Sequence, residues 1–260
     1  MPSQRFDFPN ARGEVLSALL ELPDGEPTAC ALFAHCFTCG KNIFAARRIA
    51  QGLTRHGVAV LRFDFTGIGA SEGEFANTNF SSNVGDLLAA AAHMRKMVRA
   101  PDLLIGHSLG GAAILAAAGQ VPEARGVVTI GAPSDPAHVA HLFHGSIERI
   151  EREGTLEVEL AGRSFRINRE FLDDIRSQPQ AARIGSLRKA LLVFHSPVDA
   201  TVGVENAAQI FGAAKHPRSF VSLEDADHLL SRKEDAEYVA DVIAAWAQRY
   251  LQRPAAQEPR

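Results

Sequence analysis

The chain has 260 residues, 46% of them hydrophobic and 22% charged, with a formal net charge of -3. That size and apolar content suit one α/β domain with an insertion, or two small domains at most, and they exclude wholesale disorder. No cluster of Lys and Arg marks a nucleic-acid surface, and no apolar run is long enough to span a bilayer.

The N-terminal stretch MPSQRFDFPNARGE lacks the apolar run of a secretory leader. Residues 15–22, VLSALLEL, read as an early strand, and 30–36, CALFAHC, as a buried parallel strand. A helix is predicted over 44–57, ended by Gly57, then a strand at 58–64 and the glycine-rich loop FTGIGASEGEF. Residues 83–99 carry helical periodicity, 103–105 form a short strand, and a small-residue helix is predicted over 110–118. Further strands are predicted at 126–130, 190–195 and 219–223, and an amphipathic helix at 234–251. Short apolar runs alternating with helices indicate a mostly parallel central sheet with helices on both faces.

One segment, about 136–188, is too long for an ordinary connection. It begins with a helix-like HVAHLFHGSIERI. TLEVELAGRSFRIN follows as a hairpin turning at Ala161-Gly162-Arg163, and then a helical NREFLDDIRSQ. We read it as a small cap within one domain over 1–253, with 254–260 as a tail.

Gly106-His107-Ser108-Leu109-Gly110 fits G-x-S-x-G, placed between an apolar strand and a helix. In the α/β-hydrolase fold this turn presents a nucleophilic serine above the sheet, and the motif resembles it. A helix-capping turn is the plain alternative. A serine hydroxyl needs an imidazole to take its proton and a carboxylate to orient that imidazole. His228 follows the last predicted strand and is the candidate base. Asp199, in the loop after ALLVFH, is the candidate acid, lying between Ser108 and His228 in the chain order of that fold. Glu224, Asp225 and Asp227 compete by nearness but suit local turn bonds better.

The candidate oxyanion donors are the N–H groups of Leu109 and Phe37. His35, Thr38, His107, Phe143 and Phe171 are candidate substrate-binding residues, and Phe165 could join them. Asp64 reads as a structural acceptor for the glycine loop, which lacks the spacing of a nucleotide cradle. The three cysteines, Cys30, Cys36 and Cys39, are too few and too odd for a disulfide framework. Cys36 and Cys39 read as small packing residues, with redox-sensitive thiols as the alternative. No metal site and no cofactor are expected, and the location is expected to be cytoplasmic.

The stretches HCFTCGKN, LRFDFTGIGASEGEFANTNFSSNVGDL, LIGHSLGGAAILAAA and TIGAPSDPAHV resemble the hydrolase half of bacterial proteins that fuse an α/β hydrolase to an OsmC-like domain. The resemblance covers nearly the whole chain, about residues 5–250, and implies a Ser108, Asp199, His228 triad. The peroxide-reducing half is not part of this sequence, so its activity does not transfer. The expected reaction is hydrolysis of short- to medium-chain carboxylic esters through an acyl-enzyme. Thioester or peptide hydrolysis and a non-catalytic binding role are the alternatives. A small ester is the expected partner, with neither nucleic acid nor membrane; a homodimer is compatible with this reading.

Overall fold

The computed structural model describes residues 3–143, 145–160 and 162–251. His144, Ala161 and the expected tail at 254–260 lie outside the described residues.

In chain order the elements are strands β1 (Ser3–Pro9), β2 (Val15–Glu21) and β3 (Ala29–Ala34), helix α1 (Phe44–Arg55), β4 (Val58–Phe63), α2 (Phe80–Met97), β5 (Leu103–His107), α3 (Leu109–Ala117) and β6 (Gly126–Ile130). The chain continues through α4 (Ile147–Glu153), β7 (Thr155–Leu160), β8 (Arg163–Asn168), α5 (Arg169–Arg176), α6 (Gln180–Gly185), β9 (Ala190–His195), α7 (Glu205–Ala213), β10 (Arg218–Ser222) and α8 (Lys233–Leu251). The main sheet has the order β1-β2-β4-β3-β5-β6-β9-β10. Only the β1–β2 and β2–β4 pairings are antiparallel. The other five, from β4 to β10, are parallel.

Each inner strand feeds two apolar layers, because successive side chains point to opposite faces. On β3, Ala29, Ala31 and Phe33 join the layer shared with α1 and α8. Cys30, Leu32 and Ala34 join the opposite layer, with α2 and α3. This is why CALFA is apolar throughout: neither face meets water. Helices α1 and α8 approach so closely that a Cβ on Gly52 would lie 2.3 Å from the Ala240 Cβ. All the strands predicted from 15 onward form, within a few residues of their expected ends.

The structure adds β1, an edge strand that alternates exposed Gln4, Arg5 and Asp7 with Phe8, its one fully buried side chain. The expected helix HVAHLFHGSIERI divides into a 3-10 stretch, Pro136–Phe143, and the short α4. Gly145 sits between them at φ 76°, outside helical geometry. The β7–β8 hairpin forms with Leu160 opposite Arg163. Side chains of the 136–188 segment, among them Phe143, Ile150, Phe165, Phe171 and Leu172, belong to the α2–α3 layer. Among the described residues, the segment's buried side chains join that layer and form no cluster of their own.

Candidate active site

Ser108 occupies the single residue between β5 and α3 and has φ 55°, ψ -129°. A side chain in that conformation is strained, and the surroundings must hold it there. Its N–H donates to Ile130 O at 2.9 Å, and its carbonyl accepts from Gly111 N at 2.8 Å. Strand and helix pass too closely for side chains beside it. A Cβ on Gly106 would lie 2.4 Å from Gly110 O, and one on Gly110 would lie 2.4 Å from His35 O. The glycines of the motif are thus demanded by contact as well as by the turn.

His228 lies in the loop after β10. Its Nε2 is 3.0 Å from Ser108 Oγ and its Nδ1 is 2.7 Å from Asp199 Oδ2. The carboxylate is an acceptor at both oxygens. Asp199 Oδ1 takes the N–H groups of Thr201 and Val202, each at 2.9 Å, so Oδ2 is left to orient the ring. Nδ1–H therefore donates to Asp199, and the Nε2 lone pair faces the serine hydroxyl. Burial alone would raise Asp199; the His228 bond and the two backbone N–H groups outweigh it and hold the carboxyl below its ordinary value. Asp225 and Asp227 are engaged elsewhere, with Arg232 and Ser231.

The loop opposite, residues 35–41, is held from beneath. His35 Nδ1 donates to Cys36 O at 2.8 Å, while Phe65 N–H approaches its Nε2 at 3.4 Å. A trans peptide points its N–H away from its carbonyl, so anchoring Cys36 O turns the Phe37 N–H to the other side. Lys41 N donates to Asp64 Oδ1 at 2.6 Å, and the buried Lys41 ammonium pairs with Asp64 Oδ2 at 2.5 Å. Asp64 also accepts from Ala70 N in the glycine loop at 3.0 Å, as its sequence position suggested. Burial would raise Asp64, but the bonds from Lys41 and Ala70 together outweigh it and hold it low. Leu109 begins α3, and its N–H is one of the first-turn groups with no intrahelical acceptor.

Several expected site residues lie elsewhere. His107 is 1% exposed and its Nε2–H donates to His228 O at 2.7 Å. Burial, then the neighbouring His228, pushes its pKa down to about 4, so it stays neutral and holds the loop of the candidate base. His35 is equally buried. Phe143 and Phe171 are core residues whose rings lie 6.2 and 5.2 Å from that of Phe37. These four stand behind the site wall, and Phe165 likewise packs on Phe75. Thr38 does line the site, but its anchored atom is the carbonyl, which accepts from Arg163. Beyond Phe37 and Thr38, sequence reasoning missed the lining. A groove of about 630 Å³ above Ser108 and His228 is bordered by Ile43, Leu142, Leu160, Arg163 and Leu229 among others. A small chamber of about 40 Å³ opens beside Ser108, between Pro133, Val139, Leu142 and Val202.

Cys36 and Cys39 are joined in a disulfide, which corrects the reading of both as plain packing residues. Whole-chain cysteine counting overlooked that a two-residue spacing in a tight loop brings two sulfurs together without a framework. Cys30 is a buried thiol on β3, which burial pushes up to about 11. Among the described residues no group of three His, Cys, Asp or Glu side chains is arranged to hold a metal ion. No described helix is long and apolar enough to cross a membrane.

The sheet order, the turn at Ser108 and the strand-end loops define the α/β-hydrolase fold. The chain belongs to the serine aminopeptidase S33 family of hydrolases, whose sequence profile matches residues 25–183. An esterase domain from Rhodothermus marinus is 48% identical, with a TM-score of 0.79 over 96% of this chain and 100% of that one. Rat monoglyceride lipase is 35% identical over 124 residues, 46% of this chain and 40% of that enzyme. Rat mitochondrial palmitoyl-protein thioesterase ABHD10 is 27% identical over 165 residues, 64% of this chain and 51% of that enzyme. The chain thus spans about half the length of these two curated relatives or less.

Proposed function

We propose that this hydrolase cleaves carboxylic esters of short to medium acyl chains, with Ser108 as nucleophile, His228 as general base and Asp199 as its orienting acid. The observation that carries the reading is the continuous relay from Asp199 Oδ2 through His228 to Ser108 Oγ, at 2.7 and 3.0 Å. Ser108 Oγ attacks the ester carbonyl carbon as its proton passes to His228 Nε2. The negative oxygen of the tetrahedral intermediate is taken by the N–H groups of Phe37 and Leu109. His228 then gives the proton to the departing alcohol, and a water activated by the same nitrogen releases the acid from Ser108. The small chamber beside Ser108 suits the acyl chain, and the larger groove the alcohol. Segment 136–188 acts as the cap that supplies Leu142, Leu160 and Arg163 to that groove, within one domain over 1–253.

A second reading, thioester hydrolysis, is favoured by Arg163, whose charge on the groove wall suits the phosphates of an acyl-CoA. With either substrate, the proposal keeps a cytoplasmic location, a homodimer as the compatible assembly, and neither nucleic acid nor membrane as partner. A panel of p-nitrophenyl esters and acyl-CoAs on wild type and Ser108→Ala tests it. Turnover lost in the variant, with fluorophosphonate labelling lost in parallel, supports the serine mechanism. Full turnover by Ser108→Ala, or none by wild type, defeats it.

A further inference from the structure

The peptide bearing the Phe37 N–H lies inside a closed ring. The Cys36–Cys39 disulfide spans it, with Cα atoms 5.2 Å apart, and Cys39 N–H also donates to Cys36 O at 3.1 Å. Both cysteines border the same groove as Ser108 and His228. Cys36 is 5% exposed and Cys39 only half-buried, so a reagent in the groove meets Cys39 before Cys36. The anchors at either end are independent of the sulfurs: His35 holds Cys36 O, and Asp64 holds Lys41. Cys36 O takes its second bond, from Cys39 N–H, while the ring holds Cys39 beneath it; opening the ring leaves the Cys36–Phe37 peptide on the single His35 bond, free to turn about it, and leaves Lys41 fastened. Cys30 is fully buried, so exchange is confined to the pair.

We propose that Cys36–Cys39 is a thiol–disulfide exchange site, reached through the substrate groove by a dithiol reductant, and that its oxidation state governs hydrolysis by fixing or releasing the Phe37 N–H. The second half rests on the oxyanion role given to Phe37 above. A thiolate of the reductant attacks Cys39 Sγ; the sulfur–sulfur bond breaks, a mixed disulfide forms at Cys39, and Cys36 leaves as a thiolate and takes up a proton. Arg163 donates to Thr38 O between the two cysteines, and its charge favours that thiolate. The reductant's second thiolate then displaces Cys39 and closes the reductant's own disulfide. Two electrons and two protons pass from the dithiol to the pair.

The test uses the whole chain with dithiothreitol as the dithiol. Iodoacetamide trapping and mass spectrometry count native thiols, while kcat and KM on p-nitrophenyl butyrate are followed through reduction and reoxidation. Cys36 and Cys39 should become alkylated together, kcat should fall about 100- to 1000-fold, as for a lost oxyanion donor, and reoxidation should restore it. Cys36→Ser/Cys39→Ser should match the reduced enzyme and ignore dithiothreitol, with its far-UV circular dichroism unchanged. A pair that resists dithiothreitol in the folded protein overturns the exchange site. Complete reduction with kcat unchanged overturns the coupling. If the oxidised protein neither turns over esters nor takes a fluorophosphonate at Ser108, the hydrolase mechanism fails instead, and thiol trapping alone still decides the exchange site.

Discussion

The groove has two walls of different construction. On one, Ser108, Asp199 and His228 sit just past strand ends and are bonded to fixed backbone or to each other. On the other, Leu142 and Arg163 come from the 136–188 segment, and both are exposed, Leu142 by 47%. The first wall leaves no room for change, because its backbones touch; the second presents side-chain ends toward open space. Under the proposed mechanism, chemistry belongs to the close-packed wall and selectivity to the open one.

Four substitutions can break or sharpen that contrast. Asp199→Asn should lower kcat about 10⁴-fold on p-nitrophenyl butyrate with KM little changed, since the ring loses its orienting anion. A loss below tenfold would remove Asp199 from the reaction. Gly110→Ala comes next. Its Cβ would lie 2.4 Å from His35 O and 2.5 Å from Ala34 O, both backbone atoms that cannot swing aside. Urea unfolding should show a loss of about 4 kcal/mol; a loss under 1 kcal/mol would mean that the wall yields.

The third concerns pH. His107 takes its proton near 4 in the fold and near 6.5 in the unfolded chain, so between those values the unfolded chain holds the extra proton. Stability is then full above pH 6.5, declines as pH falls, and levels off below 4, over a span of about 3 kcal/mol. His35, also lowered by burial, acts in the same direction. Denaturation at pH 7 and pH 5 should show this slope, and His107→Gln should flatten it; an equal slope in the variant would exonerate His107. The smallest effect is expected from Leu142→Ala on the open wall: a KM shift of about 3- to 10-fold on butyrate esters, kcat within twofold and unchanged melting temperature. A collapse of kcat there would erase the distinction between the walls.

The close-packed wall was the more legible in the sequence. Apolar strands announce where the sheet ends, and residues just beyond those ends are the ones a parallel sheet can bring together. Asp199 could be preferred to Asp225 and Asp227 because the latter two have local partners, which the structure shows as Arg232 and Ser231. The open wall was the harder to read, because apolarity alone does not tell which cap residues face the groove. Phe143 is expected at the substrate as an apolar cap residue, but on the 3-10 stretch it turns into the core and its neighbour Leu142 faces the groove. The buried Lys41–Asp64 pair was half seen: Asp64 was recognised as an acceptor, whereas a lysine after a glycine reads as solvent-facing until a fold closes over it. Edge strand β1 escaped because most of its side chains are exposed.

The positive φ of Ser108 has a last consequence. Glycine adopts that backbone region freely, whereas serine is held there against its preference. Ser108→Gly should therefore be inert toward esters and yet melt higher than its parent, by about 1 kcal/mol of added stability. Such a hardened, silent variant would retain intact ester in the groove, offering a snapshot of the bound reactant that the working protein consumes.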